Sequence, residues 1–253
     1  MIDSHCHLNF PQLASDLEGV LQRAAEAKVT HLINIGTGVD DSRRGVELAH
    51  RIDNVAATVG IHPCYDESAR DATAELRDLA ALPKVVAIGE CGLDYFHDDV
   101  PRDVQRASFV RQLTLAAEVD LPVVVHSRES IPDCVEIVRD FPGIKAVFHC
   151  FTAGPAEAKL LAEAGHYVGF TGPLTFKKSD ALREAAALLP ADRVLVETDA
   201  PYLSPEPLRG KRPCEPGYVA HTLACLARVR GWSIEEADRI TTENCQRLFG
   251  WPA

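Results

Sequence analysis

Short apolar runs alternate with longer amphipathic stretches along most of the chain. The runs are rich in Val and Ile and show little polar alternation, a pattern typical of parallel strands that are buried on both faces. They predict eight strands, at residues 1–5, 30–36, 55–61, 84–90, 122–127, 144–150, 166–172 and 193–199. Parallel strands need long connections, which are usually helices.

The segments between the strands repeat apolar residues at helical spacing. They predict helices at residues 16–28, 104–119, 155–165, 179–189, 218–230 and 233–248, and a Pro-rich loop at residues 201–217. Eight strand–helix units in 253 residues indicate an α/β fold, a (β/α)8 TIM barrel that forms a single domain over residues 1–253. The alternative is a doubly wound open sheet, but the G-x-G-x-x-G motif that would support it does not follow the first strand.

Histidines and carboxylates fall at the carboxyl ends of the predicted strands, where barrels of this type build their active sites. His5 and His7 point to the same side of the first strand, because alternate residues of a strand share a face. The other candidates are His62, Glu90, His126, His149 and Asp199, which follow or end the third, fourth, fifth, sixth and eighth strands. One such histidine is usually a polar cap. Their common placement favours a metal site, since buried unpaired carboxylates are costly.

The number of these side chains indicates more than one metal ion. Four of these histidines and the two carboxylates make six candidate ligands, which exceed the three or four protein ligands of a single zinc ion and suit two ions bridged by a carboxylate and a water. Imidazole and carboxylate ligands are compatible with zinc, manganese or magnesium. The remaining histidines are interpreted as structural or surface residues away from this face: His31, His50, His97, His166 and His221.

Composition narrows the partners and the compartment. The 26 basic and 37 acidic side chains give a formal net charge of −11, which disfavours general coating of nucleic acid but permits a phosphate to bind at metal ions and a few local cations. The eight cysteines show no C-x-x-C spacing, so we expect free, mostly buried thiols, and packing roles for Cys6, Cys91 and Cys150. The sequence shows neither a signal peptide nor an apolar run long enough to span a membrane, so we expect a cytoplasmic protein that does not bind membranes. We also expect no obligate protein partner.

Six motifs in chain order resemble one known family. "DSHCHL", "GIHP", "GECGLDY", "VHSRES", "HCFTAG" and "ETDAPYL" resemble those of the TatD-like metal-dependent hydrolases, (β/α)8 barrels of the amidohydrolase superfamily. The resemblance runs from residue 2 to the final helix. It departs at Ala153, an extra residue relative to the common "HCFTG", and at His97, which matches no family role.

The resemblance implies a binuclear metal centre. The implied ligands are His5, His7 and Asp199 for the first ion, His126 and His149 for the second, and Glu90 as the bridge, in place of the modified lysine of other superfamily members. Asp199 would also take the proton of the attacking water, and His62 would lie near the substrate phosphate.

Characterised members of the family include metal-dependent deoxyribonucleases that trim DNA from the 3′ end. The resemblance therefore implies hydrolysis of phosphodiester bonds in single-stranded DNA by a metal-activated water. The alternative is a hydrolase of a small amide, ester or lactone, which the acidic charge favours. A barrel with a structural metal and no turnover is a third interpretation.

Loops at residues 172–179 and 208–216 are expected to set specificity. Arg128 is the strongest candidate for a phosphate contact, because Arg suits phosphate and it lies two residues beyond a ligand. The other cations are Lys177, Lys178, Arg209, Lys211 and Arg212, of which Lys178 and Arg209 are interpreted as solvated surface charges. Aromatic residues beside a cationic groove would indicate single-stranded DNA, and the candidates are Phe96, Phe151, Phe176 and Tyr202.

Overall fold

The computed structural model describes residues 1–250, so the last three residues of the predicted domain lie outside the described residues. Strands and helices alternate along this part of the chain. The strands are β1 Ile2–Cys6, β2 His31–Asn34, β3 Val55–Val59, β4 Val85–Asp94, β5 Val123–Arg128, β6 Ala146–Phe148, β7 Tyr167–Phe170 and β8 Val194–Val196. The helices are α1 Pro11–Ala14, α2 Leu17–Glu26, α3 Val39–Arg51, α4 Thr73–Ala80, α5 Arg102–Val119, α6 Ile131–Arg139, α7 Pro155–Glu163, α8 Asp180–Leu188, α9 Val219–Arg230 and α10 Ile234–Phe249.

The eight strands form one sheet in chain order, from β1 to β8. The sheet also closes on itself, because the amide of His7 donates to the carbonyl of Ala200 at 2.8 Å and the amide of Asp199 donates to the carbonyl of His5 at 2.9 Å. An open sheet would leave its first and last strands unpaired. The prediction of a (β/α)8 barrel is therefore confirmed, and the doubly wound alternative is wrong.

The strands carry the core. β1, β3, β4, β6, β7 and β8 are buried at every position, which explains why most of them are continuous apolar runs, while β1 and β4 bury polar residues as well. The helices cover the strands with one apolar face each; α5, for example, buries Phe109 and Leu113 completely. None of the helices within residues 1–250 is long and apolar enough to cross a membrane.

Local signals explain the best-predicted helix. α7 begins at Pro155, where a missing amide proton has no cost, and the amide of Gly154 donates to the Glu157 carboxylate at 3.2 Å. The chain leaves the helix at Gly165, whose φ of 76° suits a residue without Cβ. Four further helices, α1, α3, α4 and α6, lie outside the predicted helical segments.

The described chain divides into two compact units. The first comprises residues 1–33 and 150–247, and the second comprises residues 34–149 with the last residues of α10. Each unit contains part of the set of predicted site residues, and the two parts are described in turn. The prediction of a single domain stays a prediction.

Candidate metal centre

Glu90 lies inside β4 and not at its end, so the predicted strand end at residue 90 is wrong. The pairing of β4 with β5 shifts register between Ile88 and Cys91, around this residue. Gly89 and Gly92 lie on either side of Glu90 and have φ values of 131° and 141°, which residues other than glycine rarely adopt. This irregularity gives β4 four residues beyond Glu90, and the last of them is Asp94.

Three histidines surround the Glu90 carboxylate in the second unit. The Oε1 atom of Glu90 lies 2.7 Å from Nε2 of His149, 2.8 Å from Nδ1 of His126 and 3.5 Å from Nε2 of His62. The Nδ1 atom of His126 lies 3.2 Å from Nε2 of His62 and 3.4 Å from Nε2 of His149. We call these four residues the Glu90 cluster. The predicted residues Glu90, His126 and His149 come together here, and His62 belongs to the same cluster.

The electrostatics of the Glu90 cluster favour a carboxylate anion. Burial by itself would raise the pKa of Glu90, but the charges of His149 and His62 and hydrogen bonds from the imidazoles outweigh it and hold the pKa well below its usual range. Burial and the neighbouring His126 lower the pKa of His62. Burial opposes the protonation of His126, yet its hydrogen bonds to Asp94 and Glu90 raise its pKa to about 9. The two carboxylates therefore favour positive charge at this position.

Asp94 hydrogen-bonds to the His126 ring of this cluster through the ring nitrogen that does not contact Glu90. Its Oδ2 atom accepts from Nε2 of His126 at 2.8 Å, while its Oδ1 atom accepts from the backbone amides of Phe96 and His97 at 2.9 Å. The His97 ring lies 3.0 Å from the same carboxylate, and its side chain is largely exposed. Cys64, Asp94 and His97 also lie close enough to one another that a thiol, a carboxylate and an imidazole could hold one metal ion. Asp94 is not among the predicted site residues, although the motif "GLDY" contains it.

A second cluster lies in the first unit and consists of His5, His7 and Asp199. The Nε2 atoms of His5 and His7 are 3.3 Å apart, and Oδ1 of Asp199 lies 3.6 Å from the first and 3.3 Å from the second. We call these residues the His5 cluster. Both histidines are buried, and 14% of the Asp199 side chain is exposed. The structure thus brings together His5, His7 and Asp199, the three residues predicted to share one metal ion.

Buried polar residues fix the conformation around the His5 cluster. Asp3 accepts from the hydroxyl of Thr198 at 2.6 Å and from its amide at 2.9 Å, which joins β1 to the chain before Asp199. Burial raises the pKa of Asp3 to about 8. Glu197 accepts from the amide of Cys150 at 2.6 Å. Asp3 and Glu197 are not among the predicted site residues. The motifs "DSH" and "ETD" do not reveal whether an acid binds a metal ion or hydrogen-bonds to the residues around it.

Spacing tests whether these donors fit a metal ion. Bonds of about 2.0 Å to a tetrahedral ion place its ligand atoms about 3.3 Å apart. The three atoms of the His5 cluster are separated by 3.3 to 3.6 Å. The nitrogen atoms of His62 and His149 lie at similar distances, 3.2 and 3.4 Å, from Nδ1 of His126. The His5 cluster and the imidazole nitrogens of the Glu90 cluster therefore have the spacing of ligands to a divalent cation, while Oε1 of Glu90 lies at hydrogen-bond distance, 2.7 and 2.8 Å, from His149 and His126.

The remaining predicted residues fall in several places. Arg128 is exposed, and its guanidinium lies 4.9 Å from the centre of the Phe96 ring. Phe151 is only 2% exposed and packs on Phe170, so it is a core residue and cannot stack on a base. Arg209, interpreted as a solvated charge, is exposed but also lies over an aromatic ring. The cysteines are free thiols, six buried and two half-buried, as predicted.

Comparison with known proteins identifies the class as metal-dependent hydrolases on a (β/α)8 barrel. Residues 2–250 match the family described as TatD related DNase, and the chain belongs to this family. It is 39% identical to the metal-dependent hydrolase YabD of Bacillus subtilis over 98% of both chains. It is 38% identical to the 3′-5′ ssDNA/RNA exonuclease TatD of Enterobacter lignolyticus over 99% of both chains. The crystal structure of the TatD homologue YjjV of Escherichia coli K12 is 33% identical, with a TM-score of 0.94 over 100% of this chain and 98% of that chain. The predicted family and the prediction of a metal-dependent hydrolase are confirmed.

Proposed function

We propose that this protein is a 3′-5′ exonuclease that hydrolyses phosphodiester bonds at the ends of single-stranded DNA with the help of two divalent metal ions. The observation that supports this proposal most is the spacing of ligand atoms in the Glu90 cluster and in the His5 cluster. Both clusters occur at the carboxyl side of barrel strands, where barrel enzymes build active sites. The exonuclease name of a relative at 38% identity gives the substrate class.

The predicted ligands divide between two ions in this proposal. His5, His7 and Asp199 would hold the first ion, His126 and His149 would hold the second, and Glu90 would contribute its carboxylate to both. When bound, two such cations supply Lewis acidity that lowers the pKa of water towards neutrality and offsets the charge of a phosphate. Zinc, manganese and magnesium remain alternatives for both positions.

Each side chain has a separate task. Glu90 stays anionic because its pKa is held well below the usual range, so protonation does not compete with cation binding at this carboxylate. Asp199 is partly exposed, which lets it meet an incoming water and accept its proton. His62 has a lowered pKa and acts as a hydrogen-bonding partner for a phosphate oxygen. Arg128 contributes a positive charge for the same phosphate.

One observation favours a second candidate, the hydrolysis of a small amide, ester or lactone. The net charge of −11 repels a polyanion such as DNA. The same ligands would polarise a carbonyl as effectively as a phosphate. The two functions share the metal centre and differ in the substrate alone.

The test uses metal-loaded protein and single-stranded DNA labelled at either end. We expect stepwise shortening from the 3′ end by the wild type, and loss of at least 100-fold in rate for Asp199→Asn. Asp140→Asn is the matched control, because Asp140 is an exposed acid at the end of α6. Metal content is measured for all three proteins. Wild-type protein that holds metal and leaves the DNA intact would refute the nuclease, and turnover of a lactone or amide would then support the second candidate.

A further inference from the structure

A cavity of about 680 Å³ lies beside the chain that follows Asp199. Its size falls within the range of ligand sites, about 300–1,000 Å³. Its walls come from Gln12, Phe176 and the segment 201–213. The amide of Tyr202 donates to the carbonyl of Asp199 at 2.9 Å, so the cavity begins next to a proposed metal ligand.

Hydrogen bonds hold the segment 201–213 in one conformation. The hydroxyl of Ser204 donates to the carbonyl of Lys211 at 2.6 Å, which closes the segment on itself. The amide of Glu206 donates to the hydroxyl of Thr175 at 2.7 Å, which ties the segment to the preceding loop. Side chains on such a loop bind a ligand with less loss of conformational entropy.

Three cations line this cavity: Arg209, Lys211 and Arg212. All three are exposed, and within residues 1–250 none has a carboxylate at ion-pair distance. The nearby Glu215 is already bound by Arg23, with 2.6 Å between its carboxylate and Nε. A group of cations without acidic partners in a chain of net charge −11 indicates an anionic ligand.

Flat surfaces accompany these charges. The guanidinium of Arg209 lies 4.1 Å from the centre of the Phe176 ring, and this stacked pair borders the cavity. The Tyr202 side chain is exposed on another wall. Aromatic rings and guanidinium planes stack on nucleobases without regard to sequence, while adjacent cations bind the phosphates.

We propose that this cavity binds single-stranded DNA next to the cleaved bond, with Lys211 and Arg212 on phosphates and bases against Tyr202 and the Phe176–Arg209 pair. The inference rests on the proposed exonuclease function for its substrate and adds a binding site that contains no metal ligand. Since no metal ion is needed for these contacts, binding can be measured with hydrolysis switched off.

The experiment measures binding of fluorescent (dT)10 by anisotropy in EDTA over a range of salt concentrations. We expect the double variant Lys211→Gln/Arg212→Gln to bind at least 10-fold more weakly. The slope of log affinity against log salt should also fall by about 1.4, because each contact with a single strand contributes about 0.7. Tyr202→Ala should bind about 10-fold more weakly with an unchanged slope, since stacking is uncharged.

The control is Arg139→Gln/Lys159→Gln, which removes two exposed charges from α6 and α7. Equal weakening by both double variants would overturn the proposal, because general charge would then explain binding. Unchanged binding by Lys211→Gln/Arg212→Gln would also overturn it. If inorganic phosphate displaced (dT)10 as readily as (dT)4 does, the cavity would bind anions in general. That result would contradict the proposed stacking of bases on Tyr202 and on the Phe176–Arg209 pair.

The DNA degradation assay separates this proposal from the nuclease function. A wild type that degrades DNA, with no binding loss in the cavity variants, would overturn the cavity alone. A wild type that fails to degrade DNA, with the expected binding losses, would support the cavity as a single-stranded DNA site and refute the nuclease.

Discussion

The Nε2 atom of His126 lies 2.8 Å from Oδ2 of Asp94, and Nδ1 of the same ring lies 2.8 Å from Oε1 of Glu90. The first contact assigns a proton to Nε2. The second directs the lone pair of Nδ1 towards the Glu90 cluster once that nitrogen loses its proton. A carboxylate behind a ligating histidine fixes its tautomer and makes it a stronger ligand.

Asp94→Asn is expected to weaken metal binding by about 10- to 100-fold, the usual effect of losing such a carboxylate. The buried side chain keeps its shape in this variant and loses its charge. Competition with a fluorescent chelator measures the affinity directly, without reference to catalysis.

His97→Gln is the matched control for Asp94→Asn. The His97 side chain contacts the same carboxylate but is largely exposed, so we expect less than a 3-fold change in metal affinity. Equal losses in both variants would mean that the contact between Asp94 and His126 has no special role.

The two clusters predict separate metal losses. His7→Gln should remove the ion of the His5 cluster, and His149→Gln should remove the ion of the Glu90 cluster. Metal analysis of the purified proteins should then find about two ions in the wild type and about one in each variant. One ion in the wild type, or none in either variant, would contradict a binuclear centre.

The buried His166 is expected to lower the free energy of unfolding as the pH falls into the acid range. Burial lowers its pKa to about 4, from about 6.5 in an unfolded chain. The unfolded state therefore binds a proton first as the pH falls below 6.5, and folded protein loses stability down to pH 4. We expect this group to contribute about 2 to 3 kcal/mol to the loss in free energy of unfolding between pH 7.5 and 4.5.

Urea denaturation in EDTA at these two pH values measures that loss without interference from metal binding. The difference between the two pH values should be smaller for His166→Asn than for the wild type. His50→Gln, at an exposed position of α3, should leave the wild-type difference unchanged. A wild-type difference that persists in His166→Asn would assign the acid sensitivity to other groups.

Gly92 is expected to tolerate no side chain. A Cβ there would lie 2.1 Å from the carbonyl oxygen of His126, at a φ of 141°. We expect Gly92→Ala to lower the free energy of unfolding by about 3 kcal/mol, since both the strained backbone and the clash act on one site. Gly143→Ala, at a φ of 96° with nothing near its Cβ, should lower it by about 1 kcal/mol. Equal losses in chemical denaturation would show that the close approach to His126 is unimportant.

The pattern along the chain was sufficient for the fold and for most of the candidate ligands. Buried parallel strands need continuous apolar runs, so β1 to β8 are visible without any long-range information. Their carboxyl ends then gather whatever polar residues follow them, which located His5, His7 and His126. The six motifs led to the family, and the family match over residues 2–250 agrees.

Other features depend on how distant segments approach one another. Glu90 lies inside β4, where the pairing with β5 shifts register between Ile88 and Cys91, and an apolar run does not reveal where a neighbouring strand will pair. Asp94 reaches His126 because it is the last of the four residues that follow Glu90 in this strand. Phe151 is a core residue and Phe176 borders a cavity, although both follow strand ends. Periodicity records which residues are buried or exposed, whereas the partner of a side chain is set by packing between segments far apart in sequence.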